Sequence, residues 1–292
     1  MKAAAFDYVR ADSIAHALDL LEQQGGEAKL IAGGQSLVPM MAMRLARPAM
    51  LVDINRIAEL KTISGAPMAV TLGGGVRQRD IEDSAELGAQ LPLVRKALHW
   101  VGHQQTRNRG TVGGSLAFAD PSAELPLAAL VLAAKLHLQS QADGERVLEA
   151  KDFFLGPMVT ALGETECLTA IDWPLWSGPR QAAAFEETAI RHGDFAMASA
   201  ACQLQFDVAG RVSRASFGLG GVSGTPLVFP VLAQQLLGQH LAPALAQEVA
   251  QAAARECDPG SDMHAGAPYR RHLAAVLLAR VLQQAAAQAV AG

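Results

Sequence analysis

Two glycine-rich turns about 80 residues apart constrain this chain most: Ala32-Gly33-Gly34-Gln35-Ser36 and Thr111-Val112-Gly113-Gly114-Ser115. Glycine lacks Cβ and reaches positive φ, so a ligand can approach the main chain and successive N–H groups can converge on one anion. Ser36 and Ser115 add hydroxyl donors. Neither turn contains Lys or Arg, so backbone dipoles rather than countercharges would face a phosphate. Two such turns suit a diphosphate held from two sides, although each alone is also what an ordinary tight turn after a strand looks like. Neither fits G-x-x-x-x-G-K-[ST], nor G-x-G-x-x-G with an acidic residue about 20 positions on, which disfavours both common nucleotide folds. The second turn lies in residues 107–124, a stretch with neither helical nor strand periodicity that reads as a binding loop.

Around the first turn the pattern predicts a β-turn-α-β unit. Asp12 or Ser13 can cap a helix whose Ile14, Ala17, Leu18 and Leu21 share one face, and Gly25-Gly26 would end it. A short strand over 29–32, the turn, a helix over 37–45 and a strand over 50–54 follow. Pro39 falls in the helix's first turn, where it costs little. Further on, a strand at 69–72 precedes helical stretches near 80–87 and 93–101. Ala134, Leu136 and Leu138 alternate with polar residues before the hairpin signal Asp143-Gly144, which predicts antiparallel sheet. The pattern breaks at Trp176-Ser177-Gly178-Pro179, an expected domain boundary. Beyond it a hairpin at 198–218 turns on 207–210, and helical periodicity returns at 231–237, 244–254 and 269–287.

The 292 residues allow a large core and more than one domain. A formal net charge of −4 with scattered cations argues against nucleic acid. The three cysteines, Cys167, Cys202 and Cys257, make no local metal or cluster motif, and the odd count favours a reducing compartment. The most apolar run, 125–134, contains Pro126 and is too short to span a bilayer. These features predict a cytoplasmic protein without a membrane span.

Several motifs together resemble the FAD-binding medium subunits of molybdenum hydroxylases, the family of xanthine dehydrogenase and carbon monoxide dehydrogenase. They are Ala32-Gly33-Gly34-Gln35-Ser36-Leu37, Val52-Asp53-Ile54-Asn55, Arg107-Asn108-Arg109-Gly110-Thr111-Val112-Gly113-Gly114-Ser115 and Asp120-Pro121, then Phe153-Phe154-Leu155-Gly156, Arg191-His192-Gly193-Asp194-Phe195-Ala196 and Tyr269-Arg270-Arg271-His272-Leu273. They span nearly the whole chain in the family's order. The resemblance implies an α+β fold: a two-lobed PCMH-type FAD-binding domain over 1–177, with lobes of about 1–57 and 58–177, and a C-terminal domain of antiparallel sheet and helices over 178–292.

The resemblance further implies FAD contacts at Ala32, Gly33, Gly34, Gln35, Ser36 and Leu37, and at Thr111, Val112, Gly113, Gly114 and Ser115. Substituting Gly33 or Gly113 would then push a Cβ into the diphosphate path. Glu124 stands where relatives carry Asp and would accept hydrogen bonds from cofactor hydroxyls, unless it is a plain exposed carboxylate. Leu168 aligns with an apolar residue near the isoalloxazine ring, or simply fills a buried strand. Glu186 replaces a lysine that lies near the flavin in animal xanthine dehydrogenases, which puts electron delivery to NAD in question. Arg107 and Arg109 could steady the cofactor, face a partner or be solvated. Arg191-His192-Gly193-Asp194 could approach the flavin or form an ordinary turn, while His103 and His192 read as structural histidines.

No residue is expected to be catalytic or to bind metal in this chain. The family assigns the molybdenum cofactor and two [2Fe–2S] clusters to separate large and small subunits, commonly in a dimer of heterotrimers. The implied function is to pass electrons from those clusters through FAD to an external acceptor. Two alternatives stay open: a self-sufficient flavin oxidase or reductase of the same broad fold, and a non-redox binder of a nucleotide diphosphate.

Overall fold

The computed structural model describes residues 2–178 and 180–291; Pro179, the last residue of the expected boundary, lies outside the described residues. The N-terminal region comprises β1 (Asp7–Arg10), α1 (Ile14–Gln24), β2 (Ala28–Ile31), α2 (Leu37–Ala42) and β3 (Met50–Asp53). Its strands form a parallel sheet in the order β1-β3-β2. The Ser13 hydroxyl caps α1 by accepting the His16 N–H at 3.1 Å, Ala17, Leu18 and Leu21 are buried, and Gly25 ends the helix at φ 54°. The helix after the first glycine turn stops at Ala42 rather than at residue 45, because Arg44 takes a left-handed φ of 60°.

The middle region starts with β4 (Ile63–Ala66) and β5 (Ala69–Gly73). Six helices follow: α3 (Gln78–Asp83), α4 (Ala85–Gln90), α5 (Pro92–Leu98), α6 (Gln104–Arg109), α7 (Val112–Phe118) and α8 (Glu124–Leu132). The region closes with β6 (Lys135–Ser140), β7 (Gly144–Glu149), α9 (Ala150–Phe153), β8 (Phe154–Gly156), β9 (Val159–Thr160) and β10 (Cys167–Pro174). An antiparallel sheet in the order β4-β5-β10-β6-β7 carries these helices, and the Asp143-Gly144 hairpin forms with Gly144 at φ 73°.

The expected binding loop over 107–124 is largely helical, a correction with a simple cause. Helices of six or seven residues make fewer than two turns, too few for a 3.6-residue period to register. Gly113 and Gly114 lie inside α7, and the chain leaves that helix at Ala119, which has φ 52°.

The C-terminal region has β11 (Gln181–Thr188), β12 (Ala198–Phe206), β13 (Val212–Gly220) and β14 (Leu227–Val228) in one antiparallel sheet. Helices α10 (Pro230–Leu236), α11 (Pro243–Glu256) and α12 (Ala267–Ala291) follow. Strand alternation gives this sheet two different neighbours. Ala182, Ala184, Ala198, Ala200 and Cys202 join the core made with α11 and α12. Ala183, Phe185 and Ala201 join the core of the middle region, which includes Leu93, Val94 and Ala97 of α5 and the buried face of α8. The seam between the two regions is therefore a packed interior.

Candidate functional site

The structure brings the two glycine segments into backbone contact. A Cβ at buried Gly33 would overlap the Arg109 carbonyl oxygen and stand 2.9 Å from the Cα of Gly110, the residue just before Thr111. A Cβ at Gly113 would stand 2.6 Å from the Gly74 oxygen and 2.7 Å from its Cα, and one at Gly74 would overlap the Leu168 carbonyl oxygen. Gly33 and Gly113 are thus required by close chain–chain packing, which corrects the expectation that their substitution would first obstruct a ligand. Gly74 is a site element that the motif reading passed over, although the run Gly73-Gly74-Gly75 signalled a close backbone approach.

The two segments offer different chemistry. In the first, no protein acceptor among the described residues takes the N–H of Gly33, Gly34, Gln35 or Ser36. Gly34 takes a left-handed φ of 71°, and Ser36, two residues on, returns to the right-handed region at φ −101°, ψ −50° as the chain enters α2. The turn is held from behind: the Asn55 amide donates to the Ala32 oxygen at 2.7 Å, and the Gln35 side chain donates to the Gly33 oxygen at 3.1 Å. Leu37 is half-buried at the start of α2.

In the second segment the N–H groups are already used. Val112 donates to the Val76 oxygen and Gly113 to the Gly74 oxygen, each at 3.0 Å. Gly114 donates to Thr111 Oγ1 at 3.0 Å and Ser115 to the Thr111 oxygen at 3.2 Å. This corrects the picture of two equivalent N–H cradles. Thr111 caps α7, and what this segment can offer a ligand is the Ser115 hydroxyl, the Thr111 hydroxyl proton and the exposed, side-chain-free surface of Gly114.

Arg77 ties the two segments together. Its guanidinium donates to Asn55 Oδ1 at 2.5 Å and to the Arg109 carbonyl, while its backbone pairs with Thr111. A cation thus stands between turns that contain none. Sequence reading missed it because Arg77 lies 44 positions from Gly33 and 36 from Gly113.

Arg107 is a brace, donating to Glu82 Oε2 at 2.8 Å and to the Val101 oxygen at 2.9 Å, whereas the Arg109 side chain is exposed. Leu168 is buried in the core of the middle region. The 191–194 segment turns on an Asp194 N–H to Arg191 oxygen bond of 3.1 Å. It docks its His192 ring between Trp100 and His103, with centroids 6.2 and 6.1 Å away.

Glu124 is 8% exposed, so it is not a plain surface carboxylate. Burial, followed by repulsion from Asp120, pushes its pKa up to about 7. Across the seam Glu187 is 7% exposed, and burial together with the Glu124 charge raises its pKa to about 9. Glu186 occupies the opposite face of β11. Its carboxylate accepts from Arg280 at 3.0 Å and from the Gln284 amide, both on α12. This pairing turns Glu186 toward α12, and Glu187 is the residue turned toward the middle region. Glu186→Lys is therefore expected to leave the potential of bound flavin unchanged in a spectroelectrochemical titration. The melting temperature should fall slightly, since a half-exposed ion pair contributes under about 1 kcal/mol.

Residues 4–176 match the family described as FAD binding domain in molybdopterin dehydrogenase, and 183–285 match the CO dehydrogenase flavoprotein C-terminal domain. The chain is 38% identical to the 6-hydroxypseudooxynicotine dehydrogenase complex subunit alpha of Paenarthrobacter nicotinovorans, covering 98% of this chain and 96% of that one. It is 37% identical to the carbon monoxide dehydrogenase medium chain of Afipia carboxidovorans, covering 98% of both. Its fold superposes on a chain of reconstituted CO dehydrogenase from Oligotropha carboxidovorans with a TM-score of 0.95, at 34% identity over 99% of this chain and 100% of that one. The protein belongs to the FAD-binding medium-subunit family of molybdenum hydroxylases, and it is an oxidoreductase subunit. No helix among the described residues is long and apolar enough to cross a membrane.

Proposed function

We propose that this chain is the electron-exit subunit of a cytoplasmic heterotrimeric molybdenum hydroxylase. A large subunit carries the molybdenum cofactor, a small subunit carries two [2Fe–2S] clusters, and the trimers pair. FAD bound here supplies two-electron redox chemistry between one-electron carriers and an external acceptor. The single observation that carries the site assignment is the row of four unclaimed N–H groups at 33–36, the donor set a diphosphate needs.

In this reading Ala32 to Leu37 form the phosphate cradle. Thr111 to Ser115 form the facing wall, where Thr111 and Ser115 contribute hydroxyls and Val112 and Gly113 fix the wall to the sheet. Glu124 accepts hydrogen bonds from the cofactor, and buried Leu168 supports the wall through its carbonyl contact with Gly74. The FAD-binding domain is taken as 1–177, with lobes of about 1–57 and 58–177, and the C-terminal domain as 178–292.

Exposed apolar side chains support a docked partner. Val38, Met43 and Leu45 lie along or just after α2, 50%, 52% and 70% exposed, and Arg44 beside them donates to the Lys2 oxygen, so the N-terminal segment carrying Phe6 runs nearby. Three free, buried cysteines accord with a reducing compartment.

The test is the visible spectrum of the chain alone and co-purified with its neighbours, with the released cofactor identified. FAD in this chain, joined by iron–sulfur absorption only in the assembly, is the expected result. Absence of flavin from both preparations, with folded protein and FAD supplied, would reject the reading.

A further inference from the structure

Strand β13 is paired on both sides for only part of its length. On one side β12 accompanies it, while on the other β14 reaches Gly218 and Leu219 alone. Phe229 extends that pairing by donating its N–H to the Phe217 oxygen at 3.4 Å, and the chain then leaves the sheet to form α10. It returns at Gly238-Gln239, where Gly238 donates to the Val212 oxygen at 2.8 Å and Val212 donates to the Gln239 oxygen at 2.9 Å. Main-chain groups along a strand point alternately to its two sides, so Ala215 faces the same way as Phe217. Outside the β12 ladder, no described residue takes the Ala215 N–H or donates to its oxygen. The detour through α10 has left a gap in the sheet edge.

That gap opens into a cavity of about 310 Å³ between α10 and the C-terminal end of α8. Leu130 and Val131 of α8, the stacked rings of Phe217 and Phe229, and Leu237 form its apolar part. The Ser216 hydroxyl donates to the Val131 oxygen at 2.6 Å and fixes the helix end to the strand. Arg214 also lines the cavity, and no Asp or Glu does. Its guanidinium carbon stands 3.9 Å from the centre of the buried Trp176 ring, and no carboxylate pairs with it among the described residues. Desolvation lowers its pKa, with no anion acting in the other direction. One cation, one unspent N–H and an apolar chamber of this size make the kind of site a small molecule occupies. An added strand fits less well, because Phe229 and Gly238-Gln239 close the gap at both ends and leave Ala215 as the outward residue between them.

We propose that this cavity binds a small apolar carboxylate, its anion held by the Arg214 guanidinium and the Ala215 N–H and its body packed against Phe217, Phe229 and the end of α8. The site shares no residue with the glycine segments, so the inference stands whether or not those segments hold FAD. A bound carboxylate would join α8 of the middle region to β13 and α10 of the C-terminal region.

Isothermal titration of indole-3-acetate into the full chain at pH 7, with indole-3-acetamide as its neutral counterpart, tests this. The acid should bind one-to-one and at least about tenfold more tightly than the amide. Arg214 is exposed, so Arg214→Gln should fold; it should weaken the acid at least about tenfold and bring the two probes level. Arg214→Lys should recover part of the loss, since it restores the charge without the planar fork. Amide hydrogen exchange over 213–217 should slow when the acid is present, while exchange over 33–36 should not change. If Arg214→Gln does not fold, the acid–amide contrast and the exchange pattern of the wild-type chain decide. Equal binding of acid and amide, an Arg214→Gln variant that holds the acid as tightly as wild type, no binding at millimolar acid, or no protection over 213–217 overturns the proposal. Binding of a capped acidic pentapeptide where indole-3-acetate fails to bind also overturns it, and would assign the gap to a strand from a partner chain.

Discussion

Gly33→Val should lower FAD affinity by at least about a hundredfold, roughly 2.7 kcal/mol, read as the loss of FAD fluorescence quenching when cofactor is titrated into the protein. The cause is space rather than backbone conformation, because the φ of Gly33 is not positive. A Cβ there overlaps the Arg109 carbonyl oxygen, and both partners are main chain, so no rotamer change can relieve the clash. The strand-turn carrying the free N–H groups must move away from the end of α6 and hence from the facing wall. Overpacking of this kind also costs about 1–3 kcal/mol of stability, so the melting temperature should fall with the affinity.

Gly34→Ala provides the contrast. Its Cβ meets side-chain atoms rather than backbone, Val38 Cγ2 at 3.1 Å and Ile31 Cδ1 at 3.4 Å, and the left-handed φ of 71° costs about 1–2 kcal/mol. The prediction fails if Gly33→Val and Gly34→Ala weaken FAD equally, since that would place the sensitivity in backbone conformation rather than in turn-to-turn contact.

The same contrast separates what the sequence makes legible from what it does not. The parallel unit around the first turn was readable because α1 spans three turns, long enough for Ala17, Leu18 and Leu21 to mark a face, with Ser13 and Gly25 as its ends. Strand β1 gave no signal, being short and largely exposed. Alanine-rich β11 gave little, because Ala182 to Ala184 carry weak strand propensity. Motif reading located the glycine segments yet treated them as equivalent cradles. Only the hydrogen bonds from Val112, Gly113, Gly114 and Ser115 reveal that one of the two has spent its donors.

Parity separates Glu186 from Glu187. A strand turns adjacent residues to opposite faces, so an assignment carried one position along β11 exchanges α12 for the middle region as the neighbour. Glu187 is then the one that faces the middle region, and no local pattern in Glu186-Glu187 distinguishes the two.

Arg77→Ala should weaken FAD binding about tenfold to a hundredfold, roughly 1.4–2.7 kcal/mol, in the same quenching titration. Hydrogen bonds from a charged donor contribute about 1.5–3 kcal/mol, and Arg77 makes two, to Asn55 Oδ1 and to the Arg109 carbonyl. Asn55 in turn donates to the Ala32 oxygen behind the first turn, so one guanidinium fixes the backs of both segments. Loss of the tie and loss of positive charge would look alike in the alanine variant, and Arg77→Lys separates them. Lysine keeps the charge, but its compact ammonium lacks the planar fork that reaches two acceptors at once. If the tie dominates, the lysine variant should resemble alanine, with a melting temperature lowered to a similar extent. If lysine instead restores wild-type affinity, Arg77 acts on the cofactor through its charge, and the spacing of the turns must be held by the Gly33–Arg109 and Gly113–Gly74 backbone contacts alone.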